Sequence, residues 1–382
     1  MKHLAFVAAL AITASGMTPV CAADAPPIAI VIHGGAGVIN RSDMTSEREA
    51  QYRSGLEAAR DAGYAVLEKG GSSLDAVTAA VRTLEDNPLF NAGIGAVLNR
   101  DGEAELDSSI MDGETLRAGA VANLKHVRNP IDLARAVMEK SPHVMIAGAG
   151  AEEFALQQGF TLVPNSYFRT EARMRALERA QQEEKGEGKG SKGSGGSKGS
   201  GGSGGSDEAS KRRTSLANPN SLNQSDAHPV ARLIPRSATT LDDGHGTVGA
   251  VALDHNGNLA AATSTGGMTN KLPGRIGDSP LIGAGTYANN ASCAVSATGD
   301  GEYFIRAVVA YDICALVQYK RMPLDAAAHQ VIHEKIEGMH ATGGVIALDK
   351  DGHIVMDFNS PGMFRAARDS SGRHDVAIFK NP

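Results

Sequence analysis

The chain has 382 residues, a formal net charge of −6, 42% hydrophobic residues, only 4% aromatics, no tryptophan and 45 glycines. That length suits one large globular unit or two ordinary ones, with a core of small aliphatic side chains. The acidic balance argues against a nucleic-acid partner, and the body of the chain holds no apolar run long enough to cross a membrane.

Residues 1–23 carry a charge at Lys2, an apolar run from Leu4 to about Ala14 and small residues through Val20-Cys21-Ala22-Ala23. This is the layout of a secretory signal peptide cut after Ala22 or Ala23, and it predicts an exported protein, periplasmic or secreted. Two cysteines then remain, Cys293 and Cys314. An oxidising compartment permits them to pair, and the sequence leaves a disulfide and two buried thiols equally open.

After the leader, "PIAIVIHGGAG" (27–37) reads as a strand running into a Gly-rich turn, and residues 44–69 as a helix. A second helix covers about 70–86: Ser72 and Asp75 form a capping-box-like start, Leu74, Val77, Val81 and Leu84 make its apolar stripe, and Pro88 stops it. "LFNAGIGAVLNRDG" turns the chain toward further strand. "GAGAEE" (148–153) begins like a dinucleotide-binding turn, but Glu153 stands where the third glycine belongs and two acids would face a pyrophosphate. It reads as an ordinary strand–turn–helix. Residues 186–206 are almost pure Gly, Ser and Lys, a flexible linker inside a disordered zone of about 181–229. The linker divides the chain into two sequence blocks, and a cut before Thr247 would make 24–246 an α subunit and 247–382 a β subunit of one catalytic domain.

The second block opens with "LDDGHGTVGAVALD" (241–254), turn residues followed by a buried strand whose first residue is Thr247. "VALDHNGNLAA" (251–261) and "IALDKDGHIVM" (346–356) echo each other as strand, Asp-x-x-Gly turn and strand, and two helical patterns (302–319 and 323–336) lie between them. Strands, helices and strands in this order predict an α+β protein, a four-layer αββα sandwich with two sheets between helices.

Thr247 is a poor nucleophile while it lies inside the chain, because no base stands next to its hydroxyl. Hydrolysis of the Gly246–Thr247 bond would give it a free α-amine, ordinarily of pKa about 7.7–8.0, within reach of that hydroxyl. Gly246 permits an unusual backbone beside the bond to be broken, and the linker upstream would let the new chain end move away. His245 either assists this cut or only shapes the turn.

Here the sequence resembles the plant-type asparaginase and isoaspartyl peptidase family of N-terminal-nucleophile hydrolases. The carrying segments are "VIHGGAG" (31–37), "NPLFNAGIGAVLN" (87–99), "ELDSSIMDG" (105–113), "GHGTVGAVALD" (244–254), "ATSTGGMTNKLPGRIGDSPLIGAGTYANN" (262–290) and "SATGDGEYFIR" (296–306). The resemblance covers nearly everything outside the leader and the linker. It implies that Thr247 is the nucleophile and its freed amine the base, with cleavage between Gly246 and Thr247. Thr265 would assist activation, Thr298 and Gly299 would hold the oxyanion, and Arg275 and Asp278 would bind the substrate's α-carboxylate and α-ammonium. Gly301 would line the substrate site and Asn91 would lie near the nucleophile. The main-chain carbonyls of Leu84, Glu85, Asn87, Phe90, Ala92 and Ile94 resemble the family's structural sodium loop. Asp300 and Tyr303 receive no role.

The implied activity is hydrolysis of asparagine and of β-aspartyl dipeptides through a Thr-linked β-aspartyl ester, by a dimer of αβ heterodimers acting on small molecules. Two alternatives stand beside it: a glycosylasparaginase acting on sugar-linked asparagine, whose branch usually shows Asp before the threonine, and a non-catalytic secreted scaffold of the same fold. No catalytic cofactor is expected, because the twelve histidines read as forming no His-x-x-x-His spacing beside a third ligand.

Overall fold

In a computed structural model of the chain, residues 27–190 and 246–380 are described. The proposed leader, most of the proposed linker and His245 lie outside them. The first block gives β1 (Ala29–Gly37), α1 (Ser46–Glu68), α2 (Ser73–Glu85), β2 (Leu106–Asp112), β3 (Ala118–Leu124), α3 (Pro130–Lys140), β4 (Met145–Ala147), α4 (Gly148–Gln157) and α5 (Glu171–Gly190). The second gives β5 (Val248–Leu253), β6 (Leu259–Thr265), β7 (Thr286–Ala288), β8 (Cys293–Gly299), α6 (Gly301–Ala307), α7 (Val309–Lys320), α8 (Leu324–His329), a π-helical stretch Gln330–Ile336, and β9 (Gly343–Asp349), β10 (Ile354–Phe358), β11 (Gly362–Asp369) and β12 (His374–Phe379).

The strands form an eight-stranded sheet in the order β12-β11-β1-β5-β6-β2-β3-β4 and a four-stranded sheet β10-β9-β8-β7. Strand alternation explains why the two sheets stack between helices. Ile30 and Ile32 of β1, Val248, Ala250 and Ala252 of β5 and Ala260 and Ala262 of β6 bury one face of the large sheet in a cluster shared with α1, α2 and α3. Full burial of Ile30 and Ile32 contributes about 1.5–3 kcal/mol each. The intervening residues, Ala29, Val31, Val251, Leu253, Leu259 and Ala261, pack against Ala294, Ile346 and Leu348 of the small sheet. Cys293, Val295, Ala297, Val345 and Ala347 turn the other way, onto α6–α8 and the π-helical stretch. Three apolar interfaces thus separate four layers, the αββα sandwich expected.

The local expectations hold with specific departures. Ser72 caps α2, its Oγ accepting from Asp75 N at 3.1 Å and donating to Asp75 Oδ2 at 2.8 Å. Segment 148–153 is a helix start straight after β4, as read. Both Asp-x-x-Gly hairpins form; Asp254 Oδ1 accepts from the amides of Asn256 and Asn258, and Asp349 Oδ1 from those of Asp351 and His353. β1 does not end in a Gly-rich turn. It continues to Gly37 through a register shift between His33 and Gly35, because pairing with β11 extends past the glycines. The zone 181–229 begins too early: α5 runs to Gly190, since the acidic and basic residues from Glu171 onward support helix until glycine dominates. The single helix expected over 302–319 breaks at Val308, which has φ +52°, into α6 and α7. Thr247 immediately precedes β5 and does not begin it.

Two further findings concern cysteine and histidine. Cys293 of β8 and Cys314 of α7 are disulfide-bonded, with Cα atoms 5.4 Å apart. The expectation about histidine spacing is corrected: His329 and His333 form a His-x-x-x-His pair, and the helix–sheet packing brings Asp357 of β10 beside them.

Candidate active site

Thr247 belongs by alternation to the same face as Gly249, Val251 and Leu253, so its side chain points between the two sheets. Thr265, directly across on β6 in register with the Val248–Ser264 pair, faces the same way. Thr298 projects from β8 of the opposite sheet, on the face opposite to Ala297. All three are buried. Thr247 Oγ1 donates to Thr265 Oγ1 at 3.2 Å and lies 3.4 Å from Ser279 Oγ. Thr265 Oγ1 also accepts from Gly267 N at 3.0 Å. Thr247 N donates to Thr298 Oγ1 at 3.1 Å, which accepts from Ala36 N as well, at 3.2 Å.

The peptide bond before Thr247 is held from several sides. Asn91 Nδ2 donates to Gly246 O and to Gly267 O, both at 2.7 Å, while its Oδ1 accepts from Val97 N at 2.9 Å. Gly246 has φ +129° and passes Gly35, φ +116°, so closely that a Cβ on Gly246 would sit 2.7 Å from Gly35 Cα. No other residue type fits either position without displacing backbone.

His33 fixes the other side of Thr247. Its Nδ1 meets Thr247 O at 2.9 Å and its Nε2 meets Ser296 Oγ at 2.9 Å. A carbonyl can only accept, so Nδ1 carries the proton and Nε2 accepts from the serine. Complete burial pushes the imidazole down to about 3, so it stays neutral and acts as a positioning hydrogen-bond donor.

The charged end of the site comes from residues 266–285, between β6 and β7. Glu105, just before β2, anchors this segment: both carboxylate oxygens accept from Gly274 N, at 3.2 and 3.0 Å. Arg275 Nε and Nη2 each donate at 2.8 Å to Glu302 of α6, a bidentate pair that leaves three of the guanidinium N–H donors for other partners. Asp278 is buried, and its Oδ2 has no hydrogen-bond partner among the described residues. Burial pushes its carboxyl up to about 7 against the opposing pull of Arg275. Gly301 faces this pair, since a Cβ there would stand 2.9 Å from Asp278 Oδ1 and 3.0 Å from Arg275 Nη2. The geometry offers a cation and an ionisable carboxyl, one of whose oxygens has no hydrogen-bond partner among the described residues, beside a hydroxyl cluster, a match for a small zwitterion.

The segment 84–95 carries the six carbonyls read as a sodium loop. Those of Leu84, Asn87, Phe90 and Ala92 accept backbone hydrogen bonds from within the loop. Gly93 and Gly95 leave room for the oxygens of Glu85 and Phe90, which an added Cβ would approach to 2.2 and 2.1 Å. The same loop carries Asn91. Gly299 ends β8 beside Thr298 and is exposed.

Thr247, Thr265, Thr298, Asn91 and Gly246 therefore converge directly, and Arg275, Asp278 and Gly301 form a second group. Sequence reasoning missed Ser279, His33 and Glu302 as site residues. His33 was detectable from the parity of β1, which turns it with Val31 toward the sheet–sheet interface; Glu302 gave only the weak signal of an acid following Gly301. Asp300 does receive a structural role: its Oδ2 accepts from Thr342 N at 2.7 Å and ties the start of α6 to β9. Tyr303 packs on the helix side of the small sheet with Arg306 over its ring at 5.3 Å.

Known proteins resemble this chain over most of their length. A family model described as asparaginase matches residues 26–378. The isoaspartyl peptidase of Escherichia coli (strain K12) is 48% identical over 339 residues, covering 88% of this chain and 91% of that protein. A probable isoaspartyl peptidase/L-asparaginase 2 of Arabidopsis thaliana is 39% identical, covering 92% of this chain and 99% of the relative. The isoaspartyl peptidase/L-asparaginase of Bos taurus is 37% identical, covering 92% and 96%. On the extent of the family match and of these relatives, the chain belongs to the asparaginase family.

Proposed function

We propose that the protein is an exported, self-processing amidohydrolase that converts asparagine to aspartate and ammonia and hydrolyses β-aspartyl dipeptides. The observation that carries this reading is the convergence on Thr247, whose hydroxyl meets Thr265, whose nitrogen meets Thr298 and whose preceding carbonyl is held by Asn91.

Processing comes first. Thr247 Oγ1 attacks the Gly246 carbonyl, with Asn91 Nδ2 stabilising the oxyanion that develops on Gly246 O. The C–N bond breaks, the nitrogen takes up the proton, and water hydrolyses the resulting ester. Residues up to Gly246 then form the α subunit and residues 247–382 the β subunit. The freed amine takes the Thr247 hydroxyl proton as that oxygen attacks the side-chain carbonyl of the substrate. The same amine returns a proton to the departing ammonia or peptide amine, and water releases aspartate from the β-aspartyl ester. Thr265 accepts from the hydroxyl and orients it. Thr298 and Gly299 face the substrate oxyanion, while Arg275 and Asp278 hold the α-carboxylate and α-ammonium.

The relatives named isoaspartyl peptidase/L-asparaginase support this substrate class. The residues 1–23 pattern and the Cys293–Cys314 bond support export. An all-oxygen loop suits a hard cation such as sodium, which would be held by the carbonyls of residues 84–94 and would brace Asn91 without entering the chemistry. Two processed αβ units form the assembly.

Intact-mass analysis of purified protein is expected to give an α chain ending at Gly246 and a β chain starting at Thr247. Thr247→Ala is expected to remain one inactive chain. An uncut Thr247→Ala protein that still releases ammonia from asparagine would end this reading.

A further inference from the structure

His329 closes α8, and His333 lies four residues on in the π-helical stretch Gln330–Ile336. That spacing turns both imidazoles to one face, where the rings stack with centroids 4.3 Å apart. Short π-helical stretches within helices are frequent at functional sites. The third member comes from a different layer. Asp357 lies on β10, the edge strand of the small sheet, paired across to Val345 and through it to Ala297. Val345 and Ala297 face the helices, and so does Asp357. Its Oδ1 is 2.8 Å from His333 Nε2 and its Oδ2 is 3.7 Å from His329 Nδ1.

We propose that His329, His333 and Asp357 form a binding site for zinc or a similar borderline divalent cation, a clamp between the α8–π helix and the exposed edge of the small sheet. One nitrogen from each histidine and one carboxylate oxygen lie within 4.8 Å of one another. In a tetrahedral zinc site with metal–ligand bonds near 2.1 Å, ligand atoms stand about 3.4 Å apart. The contacts of 2.8 Å through Oδ1 and 3.7 Å through Oδ2 bracket that value, and ion binding would turn the two imidazoles out of their stack to point one nitrogen each at the shared cation. A set of two imidazoles and one carboxylate favours zinc and its neighbours over calcium or magnesium. Glu337 Oε2 lies 3.8 Å from His333 Nδ1, beyond hydrogen-bond distance, and adds negative charge near the site. Val331, Ile332 and Ile336 are buried behind the site, while the His329 side chain is 66% exposed and leaves solvent access for a water as fourth ligand. Strand alternation puts Asp357 on the face of the small sheet opposite to Thr298. The cation therefore stabilises the β subunit and takes no part in the hydrolysis.

The test uses full-length, untagged, chelator-washed protein titrated with zinc sulfate against a chromophoric competitor, and with cobalt(II) followed by visible absorption. One ion per chain, a cobalt spectrum of low coordination number and a zinc-dependent rise in Tm are expected. His329→Gln and Asp357→Asn are each expected to weaken zinc by more than about tenfold, the loss that disturbed outer partners alone can cause. Both variants are expected to keep the parent's metal-free Tm and asparaginase activity to within about twofold. His329→Gln alters a largely exposed side chain, so its result stands even if Asp357→Asn folds poorly. Zinc affinity unchanged in His329→Gln would overturn the proposal. So would binding that is lost only on mutating His353 in the hairpin turn.

Discussion

Replacing Asp278 by asparagine probes the substrate-anchoring end of the site most directly. The carboxyl is buried, its Oδ2 has no hydrogen-bond partner among the described residues, and burial pushes it up to about 7. An arriving α-ammonium supplies the missing partner and draws the group into its charged form. Asparagine keeps the shape but cannot carry the charge, and leaving an ammonium unpaired in a largely dry site costs roughly 2–5 kcal/mol. At 1.36 kcal/mol per factor of ten, kcat/KM for asparagine should fall about 30-fold to 5,000-fold. The pH profile adds an independent readout, because kcat/KM reports ionisations of the free enzyme. Productive binding needs Asp278 charged, and chemistry needs the Thr247 amine neutral, so both conditions fail as pH falls. Log kcat/KM for the parent should therefore approach a slope of two on the acid side, and that of Asp278→Asn a slope of one. Succinamate, which is asparagine without its α-ammonium, makes no use of the carboxylate, and its kcat/KM should change by no more than about threefold. The assay is coupled ammonia release from pH 5 to 9 on preparations verified by mass as processed. Equal losses on asparagine and succinamate, or a slope of two persisting in the variant, would refute the anchoring role.

Glu85→Gln addresses stability. Burial pushes this carboxyl from 4.5 up to about 8, so the folded state binds the proton more tightly than the unfolded chain. The parent should lose stability as pH rises from about 4.5 to about 8, in total on the order of 5 kcal/mol, whereas glutamine, still accepting from Ile131 N and Ser264 Oγ through its carbonyl, should lack that loss. Urea midpoints at pH 5 and pH 8.5 should thus nearly coincide for the two proteins at the lower pH and diverge at the higher, and parallel curves would show that Glu85 is charged in the fold. Removing the Cys293–Cys314 bond by double alanine substitution should lower stability by about 3 kcal/mol, the loop-closure entropy of a cross-link 21 residues apart. A urea midpoint unchanged from the oxidised parent would contradict that value.

Much of this architecture is legible in the sequence because small aliphatic residues alternate with unusual regularity. Val31 and Val251 point one way and Ile30, Ile32 and Ala250 the other, and those two faces are the middle and the outer interface of the sandwich. The hairpins are legible because Asp254 and Asp349 each cap their own turn from a fixed offset. Thr247 stands out because a lone threonine between a glycine turn and a buried strand invites a question about its amine. What stays hidden is long-range. The continuation of β1 through Gly35 depends on pairing with β11, more than 300 residues away. The Glu302 fork on Arg275 and the hold of His33 on Thr247 O join segments 27 and 214 residues apart. The parity of β1 gives the direction in which His33 faces, but no local pattern names the partner of either side chain. The break at Val308 arises where the chain must turn from α6 into α7, and a β-branched residue with φ +52° runs against local preference. The His329–His333 spacing was present in one dimension, but its significance comes from Asp357, which only the stacking of the α8–π helix on β10 supplies.

The position of the proposed cut explains how a chain can break at its active centre and keep its fold. β5 is an interior strand, paired in register with β1 from Ala29–Leu253 to His33–Gly249 and with β6 from Val248–Ser264 to Leu253–Leu259. Every one of these partnerships lies after Thr247, so hydrolysis of the bond before it removes no ladder hydrogen bond from either neighbour. Residues of both blocks meet in the same clusters, Ile30 and Leu56 with Val248 and Ala250 on one face, and Val31 with Val251 and Ile346 on the other. The two subunits thus share two apolar interfaces, and burial of this kind holds them together without a covalent link. Among the described residues, the bond to be cut joins Gly246 and Thr247. The proposed cut would release the backbone at φ +129° against Gly35, and the nitrogen that would become the amine already lies 3.1 Å from Thr298 Oγ1. On the proposed processing, the catalytic base would thus be generated in position, by an event that removes no ladder hydrogen bond from the sheet.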